Sequence, residues 1–361
     1  MNVLHILSGN SWSGGKERMT HNICRWSKER GYNVHVVLPP DSTTMIEKFS
    51  QVATVHLLRW RNYGDLGKMF ALRKIIRENN IQIVNVHRDK EAYMLSIMKY
   101  LLCDFPLVFF SHSVNKNPLS FMATYFYKKF NKTVCVSLPV FLQKERDLKG
   151  KFNDKMIVLG NAIPIERFKE KATDVSLAYP PIVGFAGRIT PEKGADVLVK
   201  AIALVNNFHH KPVNLKMIGN FEKPSFDRYL QDFINSANLQ DKIEVLKFNE
   251  DLSEFYMGLD LFVLPSVATE GQGMVLCESM YVGVPVISTS TGGQTDLIKA
   301  GETGLLVTAG DEQELAEAII KLLENEELRA NCIANAKELI LKEHTPNVYM
   351  ERLGDIYREL V

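Results

Sequence analysis

The chain has 361 residues, 46% of them hydrophobic and 24% charged, which suits a soluble globular protein with room for two domains. The net charge of +1 hides an asymmetry: residues 1–170 hold 26 Lys and Arg against 14 Asp and Glu, a formal +12, and residues 171–361 hold 17 against 28, a formal −11, so the halves either meet different partners or attract one another. Five cysteines without a C-x-x-C pair exclude a disulfide framework or cysteine zinc site and suggest reduced thiols in the cytoplasm, and no apolar run is long enough for a signal peptide or a membrane span.

Residues 3–7 read as a first short strand. A loop containing Gly14-Gly15 follows, then a helix from near Lys16 with Met19, Ile23 and Trp26 at helical spacing. Glycines at a strand-to-helix junction mark a place where α/β proteins bind ligands; the missing G-x-G-x-x-G pattern argues against a dinucleotide dehydrogenase. Further strands are expected at 33–38, 52–58, 81–86, 107–110 and 133–136. A helix over 65–79 turns Leu66, Met69, Phe70, Leu72, Ile75 and Ile76 inward. This alternation predicts a parallel sheet with ligands at the carboxyl ends of its strands, where His87, His112 and Ser137 fall. His87, beside Arg88-Asp89, reads as a solvated loop group. Residues 121–130, FMATYFYKKF, read first as a core helix with a basic outer face and second as a segment touching an anionic membrane surface.

A strand at 156–159 leads to Gly160-Asn161-Ala162-Ile163-Pro164 and a polar, then Pro-rich, linker over 169–181. The second half opens with a strand at 182–186 and the loop Gly187-Arg188-Ile189-Thr190-Pro191-Glu192-Lys193-Gly194. Arg grips two oxygens at once and Lys adds a mobile point charge, so this loop suits a diphosphate. Strands at 213–218 and 243–246 follow, the second ending at Lys247-Phe248-Asn249.

The most informative stretch is 261–293. A buried strand at 261–264 is closed by Pro265. Then come Glu270-Gly271-Gln272-Gly273, a short helix with Met274 and Val275 in its first turn, Gly283 as a left-handed cap, a strand at 284–287, and Gly292-Gly293. Glycines admit a ligand close to the backbone, and the helix start offers unpaired N–H groups and a positive dipole end for a phosphate. Glu278, about 7–8 Å along the helix, leans back toward that start. A carboxylate accepts two hydroxyl hydrogen bonds, so Glu270 and Glu278 suit a ribose or sugar attached to a bound diphosphate. Strands at 304–307 and helices at 312–323 and 347–360 complete the chain.

Glu270-x7-Glu278 with the following Gly-x-Pro-Val-Ile and Gly292-Gly293 resembles the nucleotide-sugar site of glycosyltransferase family 4, retaining enzymes of the kind used in bacterial lipopolysaccharide and exopolysaccharide assembly. Gly14-Gly15, the 160–168 segment and Gly187-Arg188-x4-Lys193-Gly194 extend the resemblance over nearly the whole chain. Here Ala162, Pro164 and Phe221 depart from the common pattern. The resemblance implies an α/β GT-B fold of two facing Rossmann-like domains. Residues 1–170, joined by a terminal helix at about 345–361 that crosses back, would bind acceptor, and 171–344 would bind donor. It implies transfer of a sugar from a nucleoside diphosphate to a saccharide or lipid-linked, anionic acceptor in cell-envelope glycan synthesis, without a covalent enzyme intermediate and without nucleic acid as partner. Glu270, Arg188, Lys193 and His112 would act on the reacting groups, with His112 bonding a sugar hydroxyl rather than serving as a base. Gly14, Gly15, Gly187, Phe248, Gly271, Gln272, Gly273, Met274, Val275 and Glu278 would line the donor, with Phe248 against the base. No Asp-x-Asp occurs, so neither a metal nor another cofactor is expected, and the protein is placed in the cytoplasm or on the inner face of the cell membrane. The competing readings are a nucleotide-sugar epimerase or a glycan phosphorylase on the same fold, and a non-catalytic partner subunit that keeps the nucleotide site.

Overall fold

The computed structural model describes residues 1–12, 14–59, 65–102, 104–114, 121–171, 176–208 and 212–361, with the backbone alone at Phe121, Met122 and Phe208. Cys103 and the linker residues 172–175 lie outside the described residues. The chain forms two compact units. One is Met1–Asn161 with Pro346–Val361; the other is Ala162–Thr345.

Among the described residues, unit 1 is built on seven parallel strands: β1 (Asn2–Ile6), β2 (Asn33–Leu38), β3 (Thr54–Leu57), β4 (Ile83–Val86), β5 (Leu107–Ser111), β6 (Lys132–Cys135) and β7 (Met156–Val158). Their order is β3-β2-β1-β4-β5-β6-β7. The direction of winding therefore reverses between β1 and β4, and the carboxyl ends of those two strands flank the crevice where such sheets take ligands. Strand period two sends Leu4 and Ile6 of β1 and Val84 and Val86 of β4 into one core. His5 and Asn85, register partners on β1 and β4, point to the opposite face and are fully buried there.

The aromatic helix Phe121–Tyr127 is a core element. Ala123 and Tyr127 are buried, as is Phe130 just after it, and Phe109 packs against both rings. Tyr125 remains exposed. No described helix is long and apolar enough to cross a membrane.

The terminal helix Pro346–Arg358 belongs to unit 1. Tyr349 meets the Trp26 ring at 6.2 Å and Tyr357 meets Tyr32 at 6.4 Å. Arg30 donates to Asn347 at 2.8 Å, and Lys132 pairs with Glu359 at 2.9 Å.

Among its described residues, unit 2 has six parallel strands: β8 (Ile182–Ala186), β9 (Asn214–Ile218), β10 (Ile243–Leu246), β11 (Leu261–Leu264), β12 (Val286–Thr289) and β13 (Leu305–Val307). They run β10-β9-β8-β11-β12-β13, so here the reversal falls between β8 and β11. Alternate residues feed two cores: Val183, Phe185, Leu261 and Val263 face one layer of helices, and Ala186, Phe262, Leu264 and Val286 face the other. This is why these strands read as continuous apolar runs. β12 starts two residues later than expected, beyond Pro285, which has no N–H for the ladder but whose carbonyl accepts from Phe262 at 2.9 Å.

The boundary between units falls at 161, earlier than the 170 expected, because residues 162–171 are already tied to unit 2. The Ile163 N–H donates to the His344 carbonyl at 3.0 Å and that of Lys171 to Val282 at 2.8 Å. Phe168 rests against Tyr256 with ring centroids 6.2 Å apart. These ten residues carry no sequence signal of that attachment, because their partners lie far along the chain.

Candidate functional site

In unit 2 the loops after β8 and β11 meet at the reversal point and are stitched together through the backbone. Thr190 caps a short turn, Pro191–Lys193, which Gly194 closes at φ +69°. A Cβ on Gly194 would lie 1.9 Å from the Pro265 carbonyl oxygen, so only glycine fits. The N–H groups of Val267 and Ala268 both donate to the Glu192 carbonyl, at 3.0 and 2.9 Å. This contact brings Lys193 against Glu270. The two form an ion pair, and Ser266 Oγ donates to the same Glu270 Oε1 at 2.6 Å.

The acidic loop is also held from behind. Thr289 and Thr291 hydroxyls donate to the Ser266 carbonyl at 2.6 and 3.3 Å. Gly292 and Gly293 press on the loop backbone: their Cβ positions would fall 2.3 Å from the Glu270 carbonyl oxygen and 2.0 Å from that of Gly271. Gly273, at φ +90°, opens the helix Met274–Val282, and Gly283, at φ +95°, ends it in the expected left-handed cap. Glu278 is part-buried one turn into the helix and accepts from the Tyr256 hydroxyl at 2.8 Å.

Of the unit 2 residues singled out by sequence, Glu270, Lys193, Gly271, Gly273, Met274, Val275 and Glu278 share this neighbourhood of loop and first helical turns. Gln272 is there too, but its side chain is buried and turned inward, 3.3 Å from His344 Nδ1 and 3.7 Å from Cys277 Sγ. Only its main chain is left to meet a ligand. Arg188 leaves the same loop as Lys193, next to Gly187 at φ +151°, yet its guanidinium pairs with Glu222. Phe248 follows β10 and is 39% exposed. Ser266, Tyr256 and Glu222 were not anticipated. Ser266, directly after Pro265 at a strand end, carried a positional signal; the other two carried none.

In unit 1, Gly14 caps the helix Gly15–Glu29. The Glu17 carboxylate folds back so closely that a Cβ on Gly14 would meet its Oε2. Glu17 is buried between Lys16 Nζ, at 3.2 Å, and Arg88 Nη2, at 3.8 Å. Burial lowers the Lys16 pKa, with the Arg88 charge adding to the effect and Glu17 opposing it.

Beside this cluster stand His5, His87 and His112, from β1 and from just beyond β4 and β5. His87 is therefore no solvated loop group: it is 3% exposed, with His5 Nδ1 3.0 Å from its Nε2 and His112 Nε2 3.0 Å from its Nδ1. Burial pushes His5 and His112 down to about 3 and holds His87 well below the ordinary 6.5. The unfolded chain takes up these protons near pH 6.5 and the folded chain does not, so stability falls as pH drops through the window from about 6.5 to 3. The slope is about 1.4 kcal/mol per pH unit for each histidine. Among the described residues both tryptophans, Trp12 and Trp26, lie in unit 1. A thermal transition followed by tryptophan fluorescence is thus expected to move down between pH 7 and pH 5; an unmoved midpoint would contradict neutral burial.

Residues 167–339 match the family model described as glycosyl transferases group 1, and residues 13–167 match that described as glycosyltransferase family 4. The chain is 28% identical over 298 residues to an uncharacterized glycosyltransferase of Methanocaldococcus jannaschii, covering 80% of this chain and 78% of that one. It is 29% identical over 215 residues to a capsular polysaccharide biosynthesis glycosyltransferase of Staphylococcus aureus, covering 56% and 55%, so it matches about half the length of that relative. Among solved structures, a glycosyltransferase from Rickettsia africae superposes with a TM-score of 0.87 at 20% identity over 99% of this chain and 98% of that one. Anabaena HepE, crystallised with UDP and glucose, gives 0.84 at 22% identity over the full length of both. These likenesses in structure concern the fold.

Proposed function

Because the chain belongs to glycosyltransferase family 4 and has the GT-B fold, we propose that it moves a hexose-type sugar from a nucleoside diphosphate to a saccharide or lipid-linked acceptor, with retention, in cell-envelope glycan assembly. The observation that carries this reading is the Lys193–Glu270–Ser266 cluster, locked by glycine contacts at the carboxyl ends of β8 and β11 and next to a helix start.

As the bond from the anomeric carbon to the diphosphate oxygen breaks, negative charge grows on the leaving group. Lys193, Arg188 and the N–H groups at Gly273 stabilise that charge where it develops. For this, Arg188 exchanges Glu222 for phosphate oxygens, and Lys193 shares itself between Glu270 and the diphosphate. Glu270 then accepts from hydroxyls of the transferred sugar. Glu278, preset by the Tyr256 hydroxyl, accepts from the ribose. The acceptor hydroxyl attacks from the face the diphosphate leaves, and the departing phosphate oxygen takes its proton, so no enzyme nucleophile is used. His112 donates to a sugar oxygen. The formal +12 on residues 1–170 favours an anionic acceptor.

Donor binding tests the reading. UDP-, GDP- and ADP-sugars are titrated against the protein and followed by saturation-transfer NMR; the UDP bound by Anabaena HepE makes uridine the first base to try. One nucleotide class is expected to bind, and Glu278→Ala to weaken it about 10- to 100-fold through loss of a charged hydrogen bond. Binding of none of them would favour a subunit without catalytic activity.

A further inference from the structure

Three neutral imidazoles form a line through unit 1. The His5 and His87 rings are nearly parallel, 16° apart with centroids at 5.3 Å, and His87 and His112 are 27° apart at 5.2 Å. Phe110 stacks on His87 at 5.0 Å. The nitrogens face one another in series rather than converging on a point, and no group of described residues is arranged to hold a metal ion.

A neutral imidazole has one N–H and one lone pair, so a chain of them has a direction. Thr20 sets it. The single hydroxyl proton of Thr20 goes to the Lys16 carbonyl at 2.9 Å, the shorter of its two contacts. Its oxygen can then only accept from His87 Nδ1, 3.4 Å away, and His87 carries its proton on Nδ1. His87 Nε2 is a lone pair that accepts from the Nδ1–H of His5. The remaining His5 nitrogen, Nε2, is the acceptor that faces the Asn85 amide nitrogen at 3.4 Å. In the other direction the Nδ1–H of His87 is shared with His112 Nε2. His112 is left with its proton on Nδ1, the nitrogen its chain partner does not occupy.

We propose that His5, His87 and Thr20 are positioning residues that lock His112 in its Nδ1–H tautomer, giving unit 1 a fixed, uncharged donor for one sugar oxygen. The lock is a statement about unit 1 alone; its use on the sugar rests on the function proposed above. A donor held this way cannot serve as a base. It binds a hydroxyl or carboxylate oxygen and rejects a sugar lacking oxygen at that carbon, since a buried N–H would go unpaired.

Long-range proton–nitrogen correlation spectra of the ¹⁵N-histidine-labelled protein, assigned by single substitutions, test the lock directly. His112 is expected as one tautomer, protonated on Nδ1; a spectrum showing Nε2–H or a mixture overturns the proposal, whatever the activity. In His87→Phe, which keeps a flat ring on Phe110 but removes both hydrogen bonds, the His112 signals are expected to report a mixture. Its kcat should fall about tenfold with nucleotide affinity unchanged, and His87→Gln, which retains an N–H donor, should recover part of the loss. Unchanged kcat in a folded His87→Phe overturns the positioning role. If that variant does not fold, the wild-type spectrum and Thr20→Val still decide. A locked tautomer together with an unimpaired His112→Ala would remove His112 from the sugar site while leaving the lock in place, so the two failures are distinct.

Discussion

Lys193→Met is expected to lower kcat for sugar transfer by about two to three orders of magnitude, the scale of removing one preorganised charge-stabilising donor. Methionine keeps the aliphatic stem and removes only the charge. The loop itself is held by Thr190, Gly194 and the Glu192 carbonyl, none of which needs the ammonium. Glu270 loses one partner but keeps Ser266. The fold should therefore persist, and the loss should appear in release of nucleoside diphosphate under saturating donor rather than in the melting temperature. A kcat within threefold of wild type would show that Lys193 serves only to pair with Glu270.

The second large effect is expected at Gly293. Its φ of −64° is open to any residue, so the objection to a side chain there is contact alone. An alanine Cβ would sit 2.0 Å from the Gly271 carbonyl oxygen and 2.8 Å from Gln272 Cα, both backbone atoms that no rotamer can clear. Gly293→Ala must push back the acidic loop or the turn itself. A displacement of about 1 Å at a reacting site costs on the order of 100-fold in rate, and donor titration should show weakened binding at unchanged nucleotide preference. Gly301→Ala is the control. It has φ +80° but nothing within 4 Å of its Cβ, so it should cost only about 1–2 kcal/mol of backbone strain and leave transfer intact. Equal activity in the two variants would mean that the turn does not set the loop.

What could be read from the sequence was local. Strand positions followed from short apolar runs, and the helix start near Gly273 and the cap at Gly283 followed from residue type and spacing. The wedge of Gly292-Gly293 was recognisable as a motif, though the contact that requires it was not. The helix Glu326–Glu343 had no expectation attached. Its buried positions, Arg329, Cys332, Ala336 and Ile340, follow helical spacing, but an arginine and two small residues do not read as an apolar stripe. Arg329 is accommodated because its guanidinium donates to the carbonyls of Leu322 and Leu323. The partners that shape the site were equally hidden: Tyr256 for Glu278, Glu222 for Arg188, and the two histidines behind His112 lie 22 or more residues from the groups they touch. Periodicity says which face of an element is buried; it does not say which distant side chain closes on it.

The division of the chain has a consequence during synthesis. Unit 2 is one continuous segment, whereas unit 1 takes its first part from the start of the sequence and its closing helix from Pro346–Arg358. A ribosome delivers these in order, so unit 2 can complete its core before the helix that covers Trp26 and Tyr32 has left the exit tunnel. The first-made sheet is thus the last to be finished, and its aromatic pockets stay open to chaperones for the whole time unit 2 is being translated.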